Sequence, residues 1–122
     1  MTIAIWCILI AFTLPYAAFS FVKGLDPKQP RLGFPKLDSR SARAYAAQLN
    51  GFETAPSFAA AVIVAHMVKG PSTVVDILAV IYVVVRVGHI AAYLADRQPL
   101  RTAAFTIAQL AALAIFVSPL FR

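Results

Sequence analysis

The sequence predicts an all-α integral membrane protein, a bundle of four transmembrane helices, and three observations carry that expectation. First, 61% of its 122 residues are apolar and only 13% are charged, with a mean hydropathy of +0.78. A soluble domain needs a polar shell, and average usage is nearer half apolar and a quarter charged. Second, apolar runs long enough to cross a bilayer recur four times, separated by polar or proline-containing stretches. Third, the positive charge falls almost wholly on alternate connections. The same composition excludes a soluble globule, a disordered chain and a disulfide scaffold, since Cys7 is the only cysteine. Residues 1–122 read as a single membrane domain.

Residues 2–22 contain no charge, and 21 residues at about 1.5 Å each cross a hydrocarbon core of roughly 30 Å. No Lys or Arg precedes this run, so it lacks the positive start of a signal peptide and reads as a retained first span. Residues 23–41 form the long polar loop, with Pro27, Pro30, Gly33 and Pro35 against helix. An extended piece is expected over 30–35. The second span covers 42–68, holds Asn50 and Glu53, and contains Pro56 as a candidate kink. Lys69-Gly70-Pro71 carries the stop signals. The third span covers 72–95, with Asp76 expected to cap its start and Arg86 near its middle. Residues 96–101, including Pro99, form the next loop, and 102–121 the fourth span.

Charge then sets the orientation. The chain has eleven Lys and Arg against five Asp and Glu. A nucleic-acid partner would need that excess gathered on one solvent-facing patch, and it is not. The first and third loops hold Lys23, Lys28, Arg31, Lys36, Arg40, Arg43, Arg97 and Arg101. The second loop and the C-terminus hold only Lys69 and Arg122. The bias places loops one and three in the cytoplasm and both termini on the non-cytoplasmic side.

Ionisable groups within spans cost at least about 2.5–3.5 kcal/mol at mid-bilayer, so they are paired, face protein or water, and often mark function. Glu53 and Arg86 each lie 11 residues in from a cytoplasmic end, roughly 16 Å deep on antiparallel neighbours, and are expected to pair. Polar residues also share helix faces: Arg43, Asn50 and Glu53; Tyr82, Arg86, His89 and Tyr93; Arg101, Phe105 and Gln109. Two readings follow. Such stripes glue helices together through hydrogen bonds and a structural ion pair. Alternatively they line a cavity for a small anionic, hydrogen-bonding ligand, which the number of donors favours. Cys7 reads as a packing residue and His66 as interfacial. No histidine, cysteine and carboxylate cluster has metal-ligand spacing, so no metal is expected.

The run from Arg43-Ala44 through Asn50-x-x-Glu53-x-x-Pro56-x-Phe58 resembles the MAPEG family, the membrane-associated proteins of eicosanoid and glutathione metabolism. Spans three and four are similar to its microsomal prostaglandin E synthase branch, in Arg86-Val87-x-His89-x-x-Ala92-Tyr93-Leu94, Arg97, Pro99, Arg101 and Thr106-x-Ala108-Gln109. The resemblance covers essentially the whole chain. It implies a homotrimer of four-helix subunits with glutathione bound between neighbours in the cytoplasmic half. Asn50, Glu53, His89, Tyr93, Arg101, Thr102 and Gln109 match glutathione-site positions, and Arg86 matches the arginine that pairs with the span-two Glu. The enzymes carry an Arg where this chain has Ala46 or Leu49, which leaves Arg43 as the nearby guanidinium; Phe105 stands for a Tyr, and Thr102 for a Ser. The implied activity is glutathione-dependent transferase, peroxidase or isomerase chemistry on an apolar electrophile arriving from the lipid. Arg101 and Thr102 would stabilise the thiolate. The other reading is a non-catalytic member that binds a lipid-like ligand or partner protein.

Overall fold

The computed structural model describes residues 1–29 and 37–122, so the extended piece expected over 30–35 lies outside the described residues. Four α-helices follow in order: α1 (Ile3–Phe19), α2 (Ser39–Lys69), α3 (Thr73–Leu94) and α4 (Gln98–Val117), with a 3₁₀ turn over Ser118–Phe121. Three of them, α2, α3 and α4 with its 3₁₀ extension, are long and apolar enough to cross a membrane; α1 is the shorter one at 17 residues. That falls at the lower limit for a span of about 17–25 residues. α2 and α3 form the middle of the bundle, with α1 packed on both and α4 packed on both.

Size is distributed the opposite way from a soluble protein. The core is rich in small residues, among them Ala4, Ala11, Ala55, Ala61, Ala65, Ala79, Ala108 and Ala111. Large side chains such as Leu9, Ile63, Val84, Leu110 and Phe116 face outward. Lipid tails are as apolar as leucine, so hydrophobicity does not drive helix against helix; close backbone approach through small residues does. The largest buried contact is Phe58 of α2 stacked on Tyr82 of α3, with ring centroids 3.9 Å apart and planes within 2°. α1 and α2 approach closely at Gly51, where an added Cβ would lie 2.7 Å from the Pro15 ring of α1.

Several helix ends differ from the sequence expectation, each for a local reason. α2 begins at Ser39 because Asp38 caps it, its carboxylate accepting from the Ser41 amide at 2.7 Å. That bond holds the Asp38 carboxyl below the ordinary carboxylate range. Ser41 Oγ in turn accepts from the Lys23 amide, which ties the segment after α1 to the start of α2. α4 begins at Gln98 rather than 102, because Pro99 sits in the first turn, where its missing N–H costs nothing. Arg101 is therefore helical, and the third loop shrinks to a Schellman-type turn. There the Asp96 amide donates to the Tyr93 carbonyl, the Arg97 amide donates to Ala92, and Asp96 takes the left-handed conformation (φ 57). Pro56 lies inside α2 without ending it.

Asp76 does not cap its own helix. Ser72 does that, and the Asp76 carboxylate instead accepts from the Ala4 amide of α1 at 2.9 Å. Thr2 and His66 complete this junction. His66 Nδ1 lies 2.9 Å from the Val62 carbonyl, which can only accept, so Nδ1 carries a proton; Nε2 shares a hydrogen bond with the Thr2 hydroxyl at 2.9 Å. Arg122 donates to the Gly70 and Ala65 carbonyls and so closes the C-terminal end of α2.

Candidate functional site

The α3 stripe folds as the spacing predicts. Tyr82, Arg86 and His89 are buried and Tyr93 is half-buried, all toward the bundle interior. The His89 ring meets the Tyr93 ring edge-on at 5.2 Å and tilts toward Phe105 of α4 at 6.4 Å. The Arg101 guanidinium lies 4.4 Å above the Tyr93 ring, a cation–π contact that fixes it beside His89's neighbour. His89, Tyr93, Arg101 and Phe105 thus form one connected group across α3 and α4.

α2 supplies Arg43 and Asn50, both half-buried. Arg43 Nη2 reaches the Leu94 carbonyl at 3.4 Å, a long bond to the negative end of α3. Four buried polar atoms in this end of the bundle have no hydrogen-bond partner among the described residues: Arg43 Nε, Asn50 Oδ1, Arg86 Nη1 and His89 Nδ1. An unpaired buried polar group costs about 1–3 kcal/mol, more when charged, and native structures rarely keep one without cause. Two arginine N–H groups, an amide oxygen and an imidazole nitrogen make a set that suits a ligand bearing both carboxylates and N–H donors.

Other expected site residues do not join this group within one chain. Glu53 is exposed, and no ion pair links it to Arg86 among the described residues. The reason is rotational: Thr54 and Ala55 turn inward on α2, so Glu53 faces away from α3 with Ser57 and Ala60. Thr102 is exposed too. Its hydroxyl oxygen accepts from Gln98 Nε2 at 2.8 Å, which leaves the hydroxyl hydrogen free to donate. Gln109 is half-buried and lines a separate groove of about 390 Å³ between α2 and α4, with Ser57, Ala60 and Phe116. A larger hollow, about 520 Å³ between α3 and α4, contains none of the expected site residues.

Gln98 is a site neighbour that the sequence reading missed. The signal was present in the i, i+4 spacing of Gln98 and Thr102, and was hidden by reading Pro99 as a breaker rather than a first-turn residue. Among the described residues no three His, Cys, Asp or Glu side chains gather into a metal-binding group.

Membrane-length helices, a small-residue core and a polar cluster confined to one end define a small multi-pass helical membrane protein with an intramembrane polar site. The particular family is also plain. The MAPEG family model matches residues 3–121, and the chain belongs to that family. Neither the curated proteins nor the solved structures include a match to this chain.

Proposed function

We propose that this chain is a membrane-bound, glutathione-dependent transferase, peroxidase or isomerase that acts on an apolar electrophile as a homotrimer. The observation that carries the reading is the set of unpartnered buried atoms on Arg43, Asn50, Arg86 and His89. Glutathione offers two carboxylates to the arginines, and amide and ammonium N–H groups to Asn50 and His89. MAPEG membership associates the chain with glutathione and eicosanoid metabolism. The likeness to the prostaglandin E synthase branch adds the order of Arg86, His89, Tyr93 and Arg101.

The chemistry then falls to Arg101 and Thr102. A free thiol has a pKa of about 8.5, so little thiolate exists at neutral pH. A guanidinium beside the sulfur favours the charged form, and the Tyr93 ring holds that guanidinium in place. Gln98 occupies an acceptor lone pair of the Thr102 hydroxyl, which leaves its hydrogen for the sulfur. Tyr93, His89, Asn50 and Gln109 serve as binding residues, with Gln109 contributing toward a neighbouring subunit. Glu53 is exposed on α2 at membrane depth, and a carboxylate there calls for cover, which a second subunit supplies. Loops one and three are cytoplasmic in this account, and both termini are outside.

The test is ultraviolet detection of bound thiolate when glutathione is added to the detergent-purified protein. Arg101→Ala is expected to weaken thiolate formation roughly ten- to hundredfold, the size of one hydrogen bond to a charged group. Full thiolate signal in Arg101→Ala would overturn the assignment. A non-catalytic, lipid-binding role is the second reading, favoured by Ala46 and Leu49 where the enzymes carry arginine. Absence of glutathione binding at millimolar concentration would select it.

A further inference from the structure

We propose that the groove between α3 and α4 holds one acyl chain of an anionic membrane phospholipid, with the headgroup paired to Arg97. The groove has a volume of about 520 Å³, walled by Gly88, Ala91 and Ala92 on α3 and by Ala103, Ala104 and Ile107 on α4, with Ala95 and Arg97 of the turn at one end. Its lining runs from residue 85 to 95 along α3 and its cap, and from 97 to 107 along the start of α4, outward from the helix turn. Ten residues at 1.5 Å give a depth of about 15 Å, half of a hydrocarbon core of about 30 Å. The trough therefore has the depth of one leaflet.

None of the described residues fills it. A Cβ added at Gly88 would meet no atom within 4 Å. In hydrocarbon such a trough takes up a chain, because an empty one forfeits the dispersion contacts of its lining. Arg97 decides which lipid. It is exposed, and among the described residues its side chain has no ion pair or hydrogen bond, with Asp96 included. Arg101, one turn along, is committed to the Tyr93 ring. A free guanidinium at headgroup level, above a leaflet-deep apolar trough, complements a phosphodiester without a compensating cation. The inference does not rest on glutathione chemistry.

Native mass spectrometry of the detergent-purified protein, with phosphatidylglycerol or phosphatidylcholine added, tests it. The expected result is preferential retention of phosphatidylglycerol. Arg97→Gln should weaken that retention about fivefold, the worth of one interfacial cation. Gly88→Leu should abolish retention of both lipids by filling the trough, and since leucine favours helix over glycine, α3 persists. Equal retention of the two lipids, or unchanged retention in either variant, would overturn the proposal. So would a Gly88→Leu protein that changes its subunit count and keeps its lipid, which would make the groove a contact between copies.

Discussion

Gly51 and Gly88 make a pair of opposite sign at the scale of the residue. Replacing a helical glycine by alanine gains about 0.8–1 kcal/mol of helix propensity. At Gly51 the new Cβ would lie 2.7 Å from the rigid Pro15 ring, and overpacking of that kind costs about 1–3 kcal/mol. Gly51→Ala is therefore expected to lower the melting temperature, while Gly88→Ala, with open space around it, raises it slightly. Differential scanning fluorimetry in detergent reads both. Equal shifts would contradict the α1–α2 approach. The unpartnered atoms belong to this scale too. Arg86 and His89 were legible from i, i+3 spacing on an apolar helix. The outward turn of Glu53 was not, because it depends on which face of α2 meets α3.

At the scale of the element, helix ends carry most of the disagreement with the sequence. Apolar length locates a span well, yet the ends are set by single hydrogen bonds. Asp38, Ser72 and the left-handed Asp96 fix three of them, and Pro99 starts a helix instead of breaking one. Asp76 illustrates the limit of local reading: a carboxylate in a first turn favours its own helix dipole, but here it accepts from the Ala4 amide of α1. The Asp38 cap gives a pH prediction with a definite sign. Its carboxyl is lowered by the bond from Ser41, so its contribution is present above the ordinary aspartate pKa of about 3.9 and is lost as pH falls through the lower folded value. Wild-type stability should fall on acidification below about pH 4, and Asp38→Asn, which keeps the capping oxygen without the charge, should fall less steeply. Identical acid profiles would remove Asp38 from the account.

At the scale of the whole molecule, the bundle has two unlike ends. One is closed by Thr2, His66, Asp76 and Arg122, each bonded to the protein's own backbone or side chains. The other keeps Arg43, Asn50, Arg86 and His89 with buried atoms unpaired, and Glu53 outside the bundle. The described residues of a single copy do not satisfy these groups, and the trimeric, glutathione-binding form proposed above offers them partners. Glu53→Gln is expected to shift the assembly toward smaller species by light scattering in detergent, since the proposed subunit contact covers that carboxylate and a hydrogen bond to a charged group is worth about 1.5–3 kcal/mol. An unchanged mass and melting temperature would argue against that contact. The four-helix bundle and its polar half were legible in composition and spacing; the outward turn of Glu53 was not, because sequence periodicity gives faces without saying which of them meets a neighbouring helix.

Calorimetric titration of glutathione into the wild-type protein and into His89→Leu asks whether the unpartnered buried groups form a glutathione site. The account predicts saturable binding by the wild type and at least tenfold weaker binding by the variant, in keeping with about 1.5 kcal/mol or more for a lost bond to a charged ligand. Binding that is equally tight in both proteins, or no heat from either at millimolar glutathione, would contradict it.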